Sequence, residues 1–124
     1  MAKERLTCAR DEDAHVFLQA IIEIYDAILA YVRRYAVAAQ EKGMGEVARN
    51  LETIATGAPD GFASALQLLW IVTMINCAYV SENPTLTVGR LDQILYPLYR
   101  ADLERGVLTR EQAKDYITDY YCKH

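Results

Sequence analysis

The sequence predicts an all-α fold: about five helices around one central apolar helix, with a short extended run at residues 85–88. Three observations predict it. Apolar residues recur at three- and four-residue spacing from Asp13 to Lys42, the period of one helix face. The stretch Gly61 to Val80 is apolar on nearly every side, the pattern of a helix enclosed by others. Glycines and prolines fall mostly between the periodic stretches, where they break helices.

The first helix runs from Asp13 to Lys42. Its stripe holds Phe17, Leu18, Ile21, Ile22, Tyr25, Ile28, Leu29, Val32, Tyr35, Ala36 and Ala39. Glu23, Asp26, Arg33 and Arg34 give the opposite face to water. Gly43 and Gly45 end it, since glycine takes left-handed angles without strain. A shorter helix covers about Glu46 to Thr56, with Val47, Leu51 and Ile54 inward. The run from Gly57 to Gly61 is a break, and Asp60 is a candidate N-cap, its carboxylate able to accept from free amides two or three residues on.

The third helix, Gly61 to Val80, is expected to be buried all round. Its length borders on a membrane span, but Gln67, Thr73 and Asn76 interrupt it and no basic residue flanks it closely, so no membrane partner is expected. Pro84 pushes Asn83 out of helical angles and places Ser81–Gly89 in a loop. A fourth helix starts near Leu91, with Ile94, Leu95, Leu98 and Leu103 as its stripe, and Gly106 ends it. Pro97 inside it predicts a kink or an early second start. Thr109-Arg110-Glu111-Gln112 is a capping box for the last helix, which carries Ala113, Tyr116, Ile117, Tyr120 and Tyr121.

The 124 residues amount to one domain at most, read as a single helical segment over 1–124. A net charge of −4 argues against a nucleic-acid partner, which would select a basic face. The charged start, Met1-Ala2-Lys3-Glu4-Arg5, and the acidic Asp11-Glu12-Asp13 do not read as a secretory leader. Cys8, Cys77 and Cys122 are widely spaced, and His15 and His124 complete no zinc spacing, so reduced thiols, no metal and a cytoplasmic location are expected. Cys77 is expected to be a small buried hydrophobe rather than a nucleophile. No Ser/His/Asp or Cys/His arrangement and no phosphate loop is present. The Gly61–Val80 helix needs neighbours on every side, which suggests a part of something larger.

Three runs carry a family resemblance. Pro59-Asp60-Gly61-Phe62-Ala63-Ser64-Ala65-Leu66-Gln67-Leu68-Leu69-Trp70 resembles the opening of a buried helix in glycyl radical enzymes of the pyruvate formate-lyase type. Gly89-Arg90-Leu91-Asp92-Gln93-Ile94-Leu95-Tyr96-Pro97-Leu98-Tyr99 and Asp102-Leu103-Glu104-Arg105-Gly106 with Leu108–Ala113 resemble the next two runs of that family, in the same order. Together they cover Gly57 to Tyr121; the first half matches only in pattern. The resemblance implies a parent enzyme folded as a ten-stranded α/β barrel. It implies an anaerobic glycyl radical, installed by a separate radical-SAM activating enzyme and passed to a cysteine thiyl. Its members are lyases, dehydratases, decarboxylases and formate acetyltransferases.

This chain departs from that pattern. No glycine sits in the family's radical context, and Cys8, Cys77 and Cys122 lack the Gly-Cys-x-Glu setting of the thiyl cysteine. The expectation is no cofactor and no catalytic residue in this chain, and no turnover from it alone. Many dehydratase-type relatives carry Gly-His-Ser before the Gly-Arg run. By count those positions are Asn83, Pro84 and Thr85. The resemblance implies that Asn83 and Thr85 bind substrate, Thr85 keeping a hydroxyl, while Pro84 cannot do a histidine's work. Arg90, Asp92 and Gln93 are expected to be structural, fixing the loop against the next helix. The partners expected are the remainder of the parent enzyme and its activating enzyme. The rival expectation is a non-catalytic oligomerisation or interaction module that self-associates through the apolar helix 61–80.

Overall fold

The computed structural model describes residues 2–8, 11–80 and 88–122. They form six α-helices and one π-helical turn: α1 (Ala2–Cys8), α2 (Glu12–Glu41), α3 (Gly45–Thr56), α4 (Phe62–Ile75), the turn Asn76–Val80, α5 (Leu91–Glu104) and α6 (Arg110–Cys122). No strand occurs among the described residues. Residues 85–87 of the expected extended run lie outside them, and Val88 has no regular structure. The helix α1 is an addition to the five expected from periodicity: seven residues give too few turns for a period to show.

Helix ends follow local chemistry. After α2, Gly43 takes φ +73°. Its amide donates to the Gln40 carbonyl at 3.0 Å and that of Met44 to Ala39 at 2.9 Å, the paired bonds of a Schellman motif. Gly106 (φ +69°) ends α5 the same way, with Gly106 to Leu103 at 3.1 Å and Val107 to Asp102 at 3.1 Å. The expected capping box opens α6: the Thr109 amide donates to Gln112 Oε1 at 2.8 Å, and the Gln112 amide to Thr109 Oγ1 at 3.2 Å. Of the kink or second start expected at Pro97, the second start does not occur; α5 is one helix with Pro97 exposed. On that side the Gln93 carbonyl, which loses its amide donor, can turn to water.

The core is split in two, and α4 belongs to both halves. Val32, Ala36 and Ala39 of α2 pack against Ala48, Leu51, Ile54 and Ala55 of α3 and Ile71 of α4. Phe62, Ala65 and Leu66 at the start of α4 pack with Leu95 of α5, Leu108, and Ala113 and Tyr120 of α6. Arg33, expected to face water, sends Nη2 to the Ala55 carbonyl at 3.1 Å and so covers the last turn of α3.

The expectation that the Gly61–Val80 stretch is buried all round is corrected. Val72 is 49% exposed and Tyr79 80%, while Leu68, Leu69 and Trp70 are half-buried. The physical reason is geometric: α2 and α3 cover one side, α5 and α6 another, and nothing among the described residues covers the rest. The front half of α2 is similar, with Val16, Phe17, Ile24 and Tyr25 exposed although α1 packs along it. By length and composition alone α2 and Phe62–Tyr79 could each cross a membrane, a description that core helices of soluble proteins also meet.

Candidate functional site

Asn83 and Thr85, the expected substrate-facing residues, lie outside the described residues, as does Pro84. The π-helical turn precedes that segment. There the backbone takes an extra residue per turn, and such turns often accompany functional sites. Its Asn76 and Cys77 are half-buried, so Cys77 is less enclosed than expected, and Tyr79 is exposed.

On the far side stand Arg90, Asp92 and Gln93. Arg90 precedes the first turn of α5 and grips Asp92 two residues on: Nε donates to Oδ1 at 3.0 Å and Nη2 to Oδ2 at 2.6 Å. The fork holds the Asp92 carboxyl below its ordinary range and the Arg90 guanidinium above its own. Both side chains are exposed, and the Gln93 amide donates to the Arg90 carbonyl at 3.0 Å. The structure thus brings Arg90, Asp92 and Gln93 together as one local turn.

The densest polar arrangement sits where α4 begins and α5 ends. Asp102 is buried, and its Oδ2 accepts from the Phe62 amide at 2.7 Å. Its Oδ1 accepts from Arg105 Nη2, which also reaches the Asp60 carbonyl at 3.3 Å. Ser64 Oγ donates to Asp60 Oδ1 at 3.0 Å and accepts from the Gly61 amide at 3.2 Å. Asp60 is therefore not the N-cap expected of it. Gly61 holds that position, and the free amide of Phe62 is satisfied from another helix. Asp102 and Arg105 were visible only as part of a family run. The signal in the sequence was an acidic residue and an arginine three apart in the last turn before a glycine.

One further tie joins the halves, and another lies within the first. The Tyr116 hydroxyl of α6 donates to Glu46 Oε1 of α3. Burial first, then that carboxylate, pushes the phenol up to about 12. The Tyr31 hydroxyl meets Met74 Sδ at 4.0 Å, and its pKa is raised, first by its hydrogen bond with Tyr35 and then by burial. A groove of about 530 Å³ between α4, α5 and α6 is lined by Phe62, Leu66, Leu95, Tyr99, Ile117 and Tyr120, with Asp92, Arg110 and Lys114 on its rim. Among the described residues no group of three or more His, Cys, Asp or Glu side chains could hold a metal. What the arrangement does chemically is to hold helices in place; among the described residues it assembles no nucleophile–base pair.

Comparison with known proteins supplies the relatives. The family described as "Pyruvate formate lyase-like" matches residues 1–124. The chain is 34% identical over 122 residues to the (2S)-3-sulfopropanediol dehydratase of Klebsiella oxytoca, covering 90% of this chain and 15% of that one. It is 30% identical over 124 residues to the 4-hydroxyphenylacetate decarboxylase glycyl radical subunit of Clostridioides difficile, at 90% and 13% coverage. To an isethionate sulfite-lyase of Bilophila wadsworthia it is 28% identical over 116 residues, at 85% and 14%. The chain thus spans 13 to 15% of the length of these relatives. No solved structure matches it. The match over the whole chain agrees with the three sequence runs and with an exposed apolar surface that six helices leave uncovered: the chain belongs to the pyruvate formate lyase-like family of glycyl radical enzymes.

Proposed function

We propose that this chain is a helical part of a glycyl radical enzyme that cleaves a C–C, C–O, C–N or C–S bond of a small substrate. The match of residues 1–124 to the family, with relatives several times longer, carries the reading. In it, the segment between the π-helical turn and α5 brings Asn83 and Thr85 to the substrate, and Arg90, Asp92 and Gln93 anchor its far end. Pro84 sets the pocket apart from one that needs a histidine there. The radical glycine and the thiyl cysteine belong to the remainder of the enzyme, a ten-stranded barrel that packs against α4. A radical-SAM activating enzyme is the second partner, and the setting is anaerobic and cytoplasmic.

The test is spectroscopic. The chain is incubated without oxygen with a radical-SAM activating enzyme of the family, a reductant and S-adenosylmethionine. No glycine-centred doublet is expected by electron paramagnetic resonance, and no turnover. A doublet from this chain would overturn the assignment.

A second reading has one observation in its favour. Val72 and Tyr79 leave the outer side of the Phe62–Tyr79 stretch apolar and exposed, as an interaction module that pairs with copies of itself would. A discrete dimer whose interface protects Val72 from exchange would favour it.

A further inference from the structure

The bond from the Phe62 amide to Asp102 Oδ2 ties the start of α4 to the last turn of α5. The chain joins the opposite ends: α4 runs on through Val80, and α5 begins at Leu91. The two helices therefore form an antiparallel pair, pinned at one end by a buried carboxylate. The other end carries Arg90, Asp92 and Gln93. About 15 Å of helix separates Asp92 from Asp102 at 1.5 Å per residue.

We infer that Asp102 is a positioning residue: its carboxylate sets the angle between α4 and α5, and so where the Arg90–Gln93 turn at the far end is held. The functional meaning of that turn rests on the proposed function; the mechanical claim rests on the tie alone. Three observations carry it. A carboxylate taken out of water persists only where specific partners meet its oxygens, and Asp102, 5% exposed, has them from two directions, the Phe62 amide and Arg105. Gly61 has an extended backbone, φ −162°, that any residue adopts. Yet a Cβ there would lie 2.8 Å from Asp102 Oδ2, so the missing side chain makes room for the carboxylate. Arg105 bridges Asp102 and the Asp60 carbonyl, fixing the carboxylate against the segment that enters α4. Beside this tie, Phe62, Ala65 and Leu66 pack with Leu95, and the Phe62 and Tyr99 rings meet edge-on with centroids 5.8 Å apart. The apolar contacts are non-directional, whereas the charge-assisted bond from Phe62 to Asp102 is short and fixed in direction.

The experiment compares amide resonances and hydrogen exchange of the isotopically labelled 124-residue chain, at a concentration where it is monomeric, with those of Asp102→Ala and Asp102→Asn. Asp102→Ala is expected to speed exchange of the Phe62 amide about 10- to 100-fold, the loss of a bond to a charged acceptor. It is also expected to shift the amides of Leu91 to Ile94, none of which lies within a helical turn of the substitution. Asp102→Asn keeps an oxygen for Phe62 and should recover most of that distant shift. Where Asp102→Ala fails to fold, Gly61→Ala displaces the carboxylate with every partner present and should move the same distant amides. Changes confined to the neighbourhood of Phe62 and Asp102, with Leu91–Ile94 unmoved in a folded variant, overturn the inference. None of these measurements depends on activity. A negative result leaves the proposed function standing, and a glycine-centred doublet leaves the tie standing.

Discussion

Asp102 concentrates the molecule's polar energetics in one side chain. Its bond to the Phe62 amide is made out of water while its second partner, Arg105, is exposed, and removing the carboxylate strands the Phe62 amide at a helix start where no turn of α4 can satisfy it. Asp102→Ala is expected to lower the free energy of unfolding by about 2–4 kcal/mol in a denaturant titration. Arg90 and Asp92 offer the contrast: their fork is as well formed, but water surrounds both groups. Arg90→Ala should leave the melting midpoint within about 3 °C of the parent chain. Tyr116 gives a pH signature. Its phenol is neutral in the fold up to about 12, against an ordinary value of 10.0, so between those values the unfolded chain has lost a proton that the folded chain keeps. The stabilisation is complete below about pH 10 and is lost as pH rises toward about 12. Tyr116→Phe should make the alkaline decline in stability shallower across that window, measured by urea titration at stepped pH. Asp102 was hidden from sequence reading because its partner is a backbone amide forty residues away. A backbone donor has no letter in the sequence. Asp60 misled for a related reason: it is the right residue type for a cap, but it accepts from Ser64 instead.

Helices were legible where their period is long and their ends are marked. The expected span of α2 differs from the observed one by a residue at each end, because its stripe runs for many turns and Gly43 closes it with left-handed angles. The same stripe overstated the packing, since Phe17 and Tyr25 lie on it and yet are exposed. Periodicity reports which face is apolar, and not how far a neighbour extends along it. The contact of α2 with α3 was half visible. Ala36 and Ala39 were in the stripe, whereas Ala48 and Ala55, both buried, carry too little hydrophobicity to stand out. These four alanines give the two helices a seam of small side chains. Ala48 is 1% exposed, so Ala48→Leu has no room and should cost about 1–3 kcal/mol through overpacking. A denaturation midpoint lowered with an unchanged slope would show it; an unchanged midpoint would mean the seam is looser than described.

Large apolar side chains are exposed on several sides of the described helices: Phe17 and Tyr25 on the front of α2, Val72 on α4 and Tyr79 in the π-helical turn after it, Tyr96 and Tyr121 beside the groove between α4, α5 and α6. One dimer interface covers one side and cannot reach all of these, whereas a much larger polypeptide folded around the chain can. That favours the enzyme part over the self-pairing module and leads to a measurement. In dilute solution the 124-residue chain should be a folded monomer that binds a hydrophobic dye, and as its concentration rises it should sediment as a growing distribution, without settling at one oligomer. Discrete dimers at every concentration would speak for the module. A compact monomer at every concentration that binds no dye would sink both readings, because the chain would then have sealed its own apolar surface in a way six helices packed like these cannot.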